Sequence, residues 1–238
     1  MKIALCLSGQ PRYLDQGYES LHKNFLSVYD IDVFSHIWFD NTLAGSDINL
    51  CIQYNRKLKW ETNADVKVLG LYKPKKYIFE PPRTFNLEPF KGANFELLAS
   101  DPNRVLSMFY SIKQANYLKC LYEQEHGFRY DLVIRARTDL VVENNLLLPD
   151  LNIDKIYCYG TNCFEDSKEI CNDQLAIGSS NNIDTYSSLF DKLEHYWLVD
   201  KPKSMVGERI LFHHLLKTNL NYYCCKRHEL YVNIIKDN

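Results

Sequence analysis

Lys2-Ile-Ala-Leu-Cys-Leu-Ser-Gly-Gln-Pro-Arg12, then Tyr13 to Tyr29, then Ile31-Asp-Val-Phe-Ser-His-Ile-Trp38: the order of these three segments decides the fold. Lys2 to Leu7 is apolar with little alternation, the pattern of a parallel strand buried on both faces. Ser8-Gly9-Gln10-Pro11-Arg12 interrupts it as a turn, and Tyr18, Leu21, Phe25 and Leu26 then recur at helical spacing. Ile31 to Trp38 is a second buried strand, and a polar loop from Asp40 to Ser46 follows it. Strand, helix and strand in that order predict a largely parallel sheet joined by right-handed crossovers.

The same logic runs outward along the chain. Val66 to Leu71 and Tyr77 to Glu80 read as short strands, the second ended by Pro81-Pro82. Arg83 to Asn103 has weak periodicity and reads as a long loop with at most one helical turn; loops of this length in compact domains tend to be functional. From Arg104 to Gln124, Val105, Met108, Phe109, Ile112, Ala115, Leu118 and Leu121 line one face of the clearest helix, and Gly127 is placed to end it. Tyr130 to Ile134 is a third central strand. Ile156 to Tyr159 and Leu175 to Ile177 suggest strands, Thr185 to Tyr196 and Gly207 to Thr218 helices, and Leu230 to Ile235 a last strand. The expectation is one α/β domain over residues 1–238, a three-layer α/β/α sandwich.

Composition narrows the function. With 238 residues, 46% hydrophobic and 24% charged, the chain is an ordinary globular domain, and 9 Gly with 8 Pro leave little room for disorder. A net charge of -2 argues against a surface built to neutralise nucleic-acid phosphates. The one basic run, Lys73-Pro-Lys-Lys76, is short enough to be a solvated loop. The opening apolar stretch is too short for a signal segment, and no window reaches the roughly 18 apolar residues of a membrane span. The expected location is the cytoplasm. There, the eight cysteines are expected as reduced thiols; the grouping of Cys158, Cys163, Cys171 and Cys224-Cys225 fits no paired C-x2-C zinc pattern.

Asp131-Leu-Val-Ile-Arg-Ala-Arg-Thr-Asp139-Leu carries the densest chemistry. Two guanidinium groups and a carboxylate follow an apolar strand directly, and alternation turns Arg135, Arg137 and Asp139 to one side. Ligands of open α/β sheets bind at such carboxyl ends. Arginine holds phosphate oxygens through bidentate charge-assisted bonds, while a carboxylate can hold a divalent metal that bridges the same oxygens. An internal Arg–Asp ion pair is the bland alternative. Walker-type G-x-x-x-x-G-K-[ST], G-x-G-x-x-G, G-x-S-x-G and H-E-x-x-H motifs are all missing from the sequence.

This segment resembles the motif of small GT-A-type nucleotide-sugar glycosyltransferases, Rossmann-like folds in which an R-x-R-x-D element stands where other members carry Asp-x-Asp. Ile3 to Arg12 and Asp32 to Trp38 are similar to the first two strands of bacterial and viral proteins in that group. The resemblance implies an enzyme that moves a sugar from a nucleoside-diphosphate donor to a glycan or another hydroxyl acceptor; the charge balance already argues against a nucleic-acid partner. It implies donor contacts from Ser8, Gly9, Gln10, Arg12, Arg135, Arg137 and Asp139, with Asp139 approaching manganese or magnesium. Arg137 replaces the first carboxylate of Asp-x-Asp, which weakens the case for a metal, since arginine can neutralise a leaving diphosphate by itself.

Further candidates border these. Ser111 and Gln114 adjoin the apolar stripe of the long helix where similar families place residues beneath the donor, and Tyr110 is placed to stack on a base. His36 ends a buried strand at the border of the site, and Asp40 beyond it is placed to reach ribose or base. Asn172-Asp-Gln174, before an apolar strand, resembles the acceptor-side element of GT-A enzymes, which makes Asp173 the leading general base, with a helix or turn cap the bland alternative; Glu208 is the alternative base and also suits a first helical turn with no further role. Of His213 and His214, one is expected to pack and the other to face solvent. Two other readings of the same residues are a non-catalytic carbohydrate- or nucleotide-binding module and a nucleotidyltransferase.

Overall fold

A computed structural model describes residues 1–51, 56–95, 101–143, 147–159, 170–202, 204, 206–224 and 232–234. The chain runs β1 (Ile3–Gly9), α1 (Leu14–Leu21), β2 (Ile31–Trp38), β3 (Asp47–Cys51), β4 (Arg56–Lys59), α2 (Ala64–Tyr72), β5 (Lys76–Glu80), α3 (Pro102–His126), β6 (Leu132–Ala136) and β7 (Leu140–Val142). It continues through β8 (Ile156–Tyr159), β9 (Leu175–Gly178), α4 (Ser180–Ser187), α5 (Leu193–His195), α6 (Gly207–Lys217), β10 (Tyr222–Cys224) and β11 (Val232–Ile234).

Seven strands form one sheet in the order β10-β8-β9-β6-β1-β2-β5. β5, β2, β1 and β6 are mutually parallel, β9 runs antiparallel to both β6 and β8, and β10 is parallel to β8. The result is an α/β fold on a mostly parallel mixed sheet, as the strand-helix-strand opening predicts. β1 lies inside it between β6 and β2, with Ile3 level with both Ile31 and Leu132.

Successive strand residues feed opposite cores, because side chains alternate across a sheet. Cys6, Phe34, Val133 and Ala176 join Phe109 and Ile112 of α3, Ile183 and Tyr186 of α4, and Ile210 and Leu211 of α6. Leu5, Leu7, Val33, Ile37, Ile134 and Ile177 join Leu14 and Leu21 of α1 and Ala64 and Val68 of α2. Among the described residues no helix is long and apolar enough to cross a membrane.

Several expectations are corrected. Val66 to Leu71 is helical, not a strand: Ala64, Val68 and Tyr72 recur every four residues toward the core while Val66 and Leu69 are exposed, and a short apolar run does not reveal which period it follows. The helix expected from Thr185 begins at Ser180, where the Ser179 hydroxyl accepts from the Asn182 backbone N–H; past Ser187 the chain continues as short helical turns to Asp200. The last strand, β11, pairs with β7 in a separate two-stranded antiparallel sheet. The long helix matches its expectation, with Asp101 capping its start and Gly127 ending it in the left-handed conformation, φ 68°. Among the described residues of the loop before it lies the short turn Glu88–Phe90; residues 96–100 are outside the described residues.

Candidate functional site

The carboxyl ends of β1, β2, β5 and β6 open on one side around a cavity of about 340 Å3, lined by Ser8, Gly9, Gln10, Arg12, Trp38, Pro82, Arg83, Asn103, Arg104, Ser107, Met108, Arg137 and Asp139. Parallel topology produces this convergence, since every strand of a parallel set presents the same end to one side. Six of the residues singled out in the sequence line it: Ser8, Gly9, Gln10, Arg12, Arg137 and Asp139.

Local packing fixes the two loops that carry them. β1 ends on Gly9 at φ 119°, a backbone state that side chains disfavour. Thr138, almost wholly buried, then ties the loop after β1 to the turn after β6: its hydroxyl donates to the Gln10 carbonyl at 2.8 Å and accepts from the Arg12 N–H at 3.4 Å. Gly17 of α1 presses on the same turn so closely that a Cβ there would lie 1.8 Å from the Thr138 carbonyl oxygen.

Four guanidinium groups, from Arg12, Arg83, Arg104 and Arg137, face this cavity with Asp139 as the one carboxylate in its lining. Arg137 donates to both oxygens of Asp139, at 2.8 and 2.7 Å, and Arg12 lies 3.9 Å from one of them. Burial pushes the Asp139 carboxyl up, but Arg137 and Arg12 outweigh it and hold it below the usual carboxylate range. Burial, together with repulsion from Arg137, lowers Arg12 to about 10. The Arg12 guanidinium also donates to the Gln10 side chain. Arg83 is paired with Glu80, whereas Arg12 and Arg137 share the single charge of Asp139, so positive charge exceeds negative charge around Asp139 and the cavity is suited to an anion.

The remaining candidates stand apart from the lining. Arg135 separates from Arg137 and Asp139: strand alternation ends at Ala136, and Arg135 is buried behind Ser8, its Nε donating to the Ser8 hydroxyl at 3.2 Å. Burial lowers its guanidinium, and Tyr186 and Asp173 offset part of that. His36 and Ser111 are wholly buried beneath the wall and bonded to each other at 2.8 Å. Gln114 is half-buried on α3 outside the lining. Asp40 caps the short turn Asn41–Leu43, accepting from the Thr42 N–H and hydroxyl at 2.9 and 2.7 Å. Asp173 is buried just before β9, and Glu208 opens α6; both are near enough to Arg137 to favour its charged form. Gly207 beside it packs on the cavity residue Met108, a Cβ there falling 2.8 Å from the methionine methyl. Of the histidine pair, His214 is buried, with contacts to Tyr196 and Thr185, and His213 is half-buried against Asp200.

Trp38, Arg83, Arg104 and Ser107 are site residues that the sequence does not single out. Trp38 stacks on Tyr110, ring centroids 5.5 Å apart, and the Arg83 guanidinium lies 4.8 Å over the Tyr110 ring. Tyr110 is thus a support for the wall.

Two places could be asked to hold a metal. At Asp139 both oxygens are taken by Arg137, a second guanidinium is adjacent, and no group of three metal-ligating side chains includes it among the described residues; this donor set does not fit a protein-held manganese or magnesium ion. Cys120, Glu123 and Asp184 bring donor atoms within 4.8 Å of one another on α3 and α4. Lys119 Nζ sits among them, 3.1 Å from Glu123 and 2.9 Å from Asp184, and Arg129 contacts both carboxylates. Two resident cations already neutralise this buried cluster. Of the grouped cysteines, Cys158 and Cys224 face each other across β8 and β10, and Cys171 packs with them as a free thiol; Cys163 and Cys225 lie outside the described residues.

No protein-family model matches the chain, and no curated protein matches its sequence.

Proposed function

We propose that the chain is a nucleotide-sugar glycosyltransferase of the GT-A type, a three-layer Rossmann-like domain that moves a sugar from a nucleoside-diphosphate donor to a hydroxyl acceptor. The observation that carries this reading is the excess of guanidinium charge around Asp139 at the carboxyl ends of β1, β2, β5 and β6. A diphosphate has the charge and the oxygen geometry to pair with several arginines at once.

In this reading Arg12, Arg83, Arg104 and Arg137 hold the donor diphosphate. The acceptor oxygen forms a bond to the anomeric carbon as the bond from that carbon to the diphosphate oxygen breaks. The diphosphate leaves with the electron pair, and the guanidinium groups stabilise the charge it gains. The acceptor's hydroxyl proton passes to a carboxylate, with Asp173 and Glu208, whose charges both act on Arg137, as the candidates. Leaving-group stabilisation falls to the arginines, and no step is assigned to a metal.

A thermal-shift panel of nucleoside diphosphates and their sugar conjugates, with and without manganese, tests the reading, because a ligand of the folded state must raise apparent stability. The expected result is stabilisation by one nucleoside diphosphate in the absence of manganese. A shift that appears only with manganese would return Asp139 to the metal role. Arg137→Ala, still folded, is expected to abolish sugar transfer and donor hydrolysis, and unchanged turnover would sink the proposal.

One observation favours a second reading, a non-catalytic nucleotide-binding module: neither Asp173 nor Glu208 lines the cavity. Binding of a nucleoside diphosphate with no turnover of any sugar donor across a wide acceptor panel would select it. A nucleotidyltransferase would instead release pyrophosphate.

A further inference from the structure

We infer that His36 is a positioning residue: held by Ser111, it fixes Glu80, and Glu80 in turn aims Arg83 at the cavity. The inference deepens the proposed function, resting on it for the identity of the anion that Arg83 meets.

The chain of contacts is continuous. His36 Nδ1 is 2.8 Å from the Ser111 hydroxyl, and His36 Nε2 is 2.7 Å from Glu80 Oε1. The second Glu80 oxygen accepts from Arg83 Nε at 2.9 Å and from the Arg83 terminal nitrogen. Arg83 lines the cavity, whereas His36 and Ser111 do not. Two aromatic residues pin the imidazole: Trp38 meets it edge-on with centroids 4.9 Å apart, and Tyr110 does so at 5.6 Å.

Chemistry fixes who donates. Burial holds the His36 imidazole below its usual pKa, so it is neutral near pH 7 and carries one ring proton. A carboxylate only accepts, so that proton sits on Nε2 and is donated to Glu80. Nδ1 then accepts from the Ser111 hydroxyl. One tautomer satisfies both ends, and it leaves the other Glu80 oxygen free to orient Arg83. Arginine side chains are rich in rotamers, and a guanidinium fixed in advance loses less entropy when an anion arrives.

The first arm of the test needs no ligand. In 15N-labelled protein the Arg83 Nε–H resonance, assigned by its loss in Arg83→Lys, is expected to be slow to exchange. It is expected to disappear in Glu80→Gln and in His36→Leu and to persist in His36→Gln, whose amide can still donate to Glu80. Ser111→Ala, which frees the imidazole without removing it, serves if His36→Leu does not fold, and is expected to broaden the same resonance. The second arm measures pyrophosphate binding by calorimetry. Arg83→Ala and His36→Leu should each weaken it about tenfold, the loss of one charge-assisted contact. The double variant should bind no more weakly than Arg83→Ala alone, since both remove the same contact. A resonance that persists in folded His36→Leu, or that stays sharp in Ser111→Ala, or additive losses in the double variant, would overturn the inference. If the resonance behaves as expected but the wild-type chain binds neither pyrophosphate nor any nucleoside diphosphate, the positioning role stands and the glycosyltransferase reading falls.

Discussion

Thr138 holds the site together at the scale of single residues. It contacts both loops, donating to the Gln10 carbonyl and accepting from the Arg12 N–H, and it is almost wholly buried. Thr138→Val keeps the shape and deletes both bonds, so it is expected to cost about 2 kcal/mol of stability. It should also weaken diphosphate binding through a displaced Arg12, and Thr138→Ser should restore both; unaltered binding in the valine variant would mean that Arg12 is held by other contacts. Parts of the site were legible at this scale. Arg137 and Asp139 stood out because charged groups directly after a buried strand need a partner, and Ser8 to Arg12 because a glycine-bearing turn follows the first strand. Arg83, Arg104 and Trp38 were not legible, since each comes from a different element and only the sheet order brings them together. His36 is legible as the end of a buried strand and Ser111 by likeness to similar families, but their partner Glu80 lies on a strand whose neighbour the sequence does not specify.

At the scale of elements, α1 braces the site by a close approach to the turn after β6. Gly17→Ala would place a methyl group 1.8 Å from the Thr138 oxygen and 2.9 Å from its carbon, both backbone atoms. Alanine is favoured over glycine inside a helix by about 1 kcal/mol, but overpacking costs about 1–3 kcal/mol, and a backbone contact this short places the clash at the upper end. The expected outcome is net destabilisation by denaturant titration, with the Arg137 to Asp139 turn displaced and diphosphate binding weakened. Gly70 of α2 is the control: a Cβ there meets nothing within 4 Å, so Gly70→Ala should gain up to about 1 kcal/mol. If Gly17→Ala behaved like Gly70→Ala, α1 would not brace the site. The parallel strands β1, β2 and β6 were legible because burial on both faces leaves an apolar run. α2 was not, because Val66, Val68, Leu69 and Leu71 give nearly the same run in a helix with one buried stripe. The antiparallel direction of β9 follows from its pairing with β6 and β8, to which no local pattern points.

For the molecule as a whole, buried titrating groups bound the pH range of stability. Burial holds His36 and His214 below the usual histidine value, each with a donor and an acceptor that suit the neutral ring. In the unfolded chain they take up protons at about pH 6.5, before the folded chain does, so their contribution is complete above that pH and is lost as pH falls toward the folded values. Glu80, Asp139 and Asp184 are pushed up by burial but held below the usual range by their basic partners. Their contribution is present above about pH 4 and is lost as pH falls through the folded values. On the alkaline side, burial raises the Cys6 and Cys120 thiols to about 12 and about 11. Unfolded thiols ionise near pH 8.5, so stability falls above roughly that pH. Calorimetric melting should therefore be highest between about pH 7 and 8.5, decline first as pH falls below about 6.5, and decline again below about 4. His36→Gln with His214→Gln removes the groups responsible for the first acid step and is expected to flatten the profile from pH 7 to 5 while leaving the second step in place. A wild-type melting temperature that stays level down to pH 5 would mean that both imidazoles take up protons inside the fold as readily as in the unfolded chain, and the neutral tautomer assigned to His36 would then be wrong.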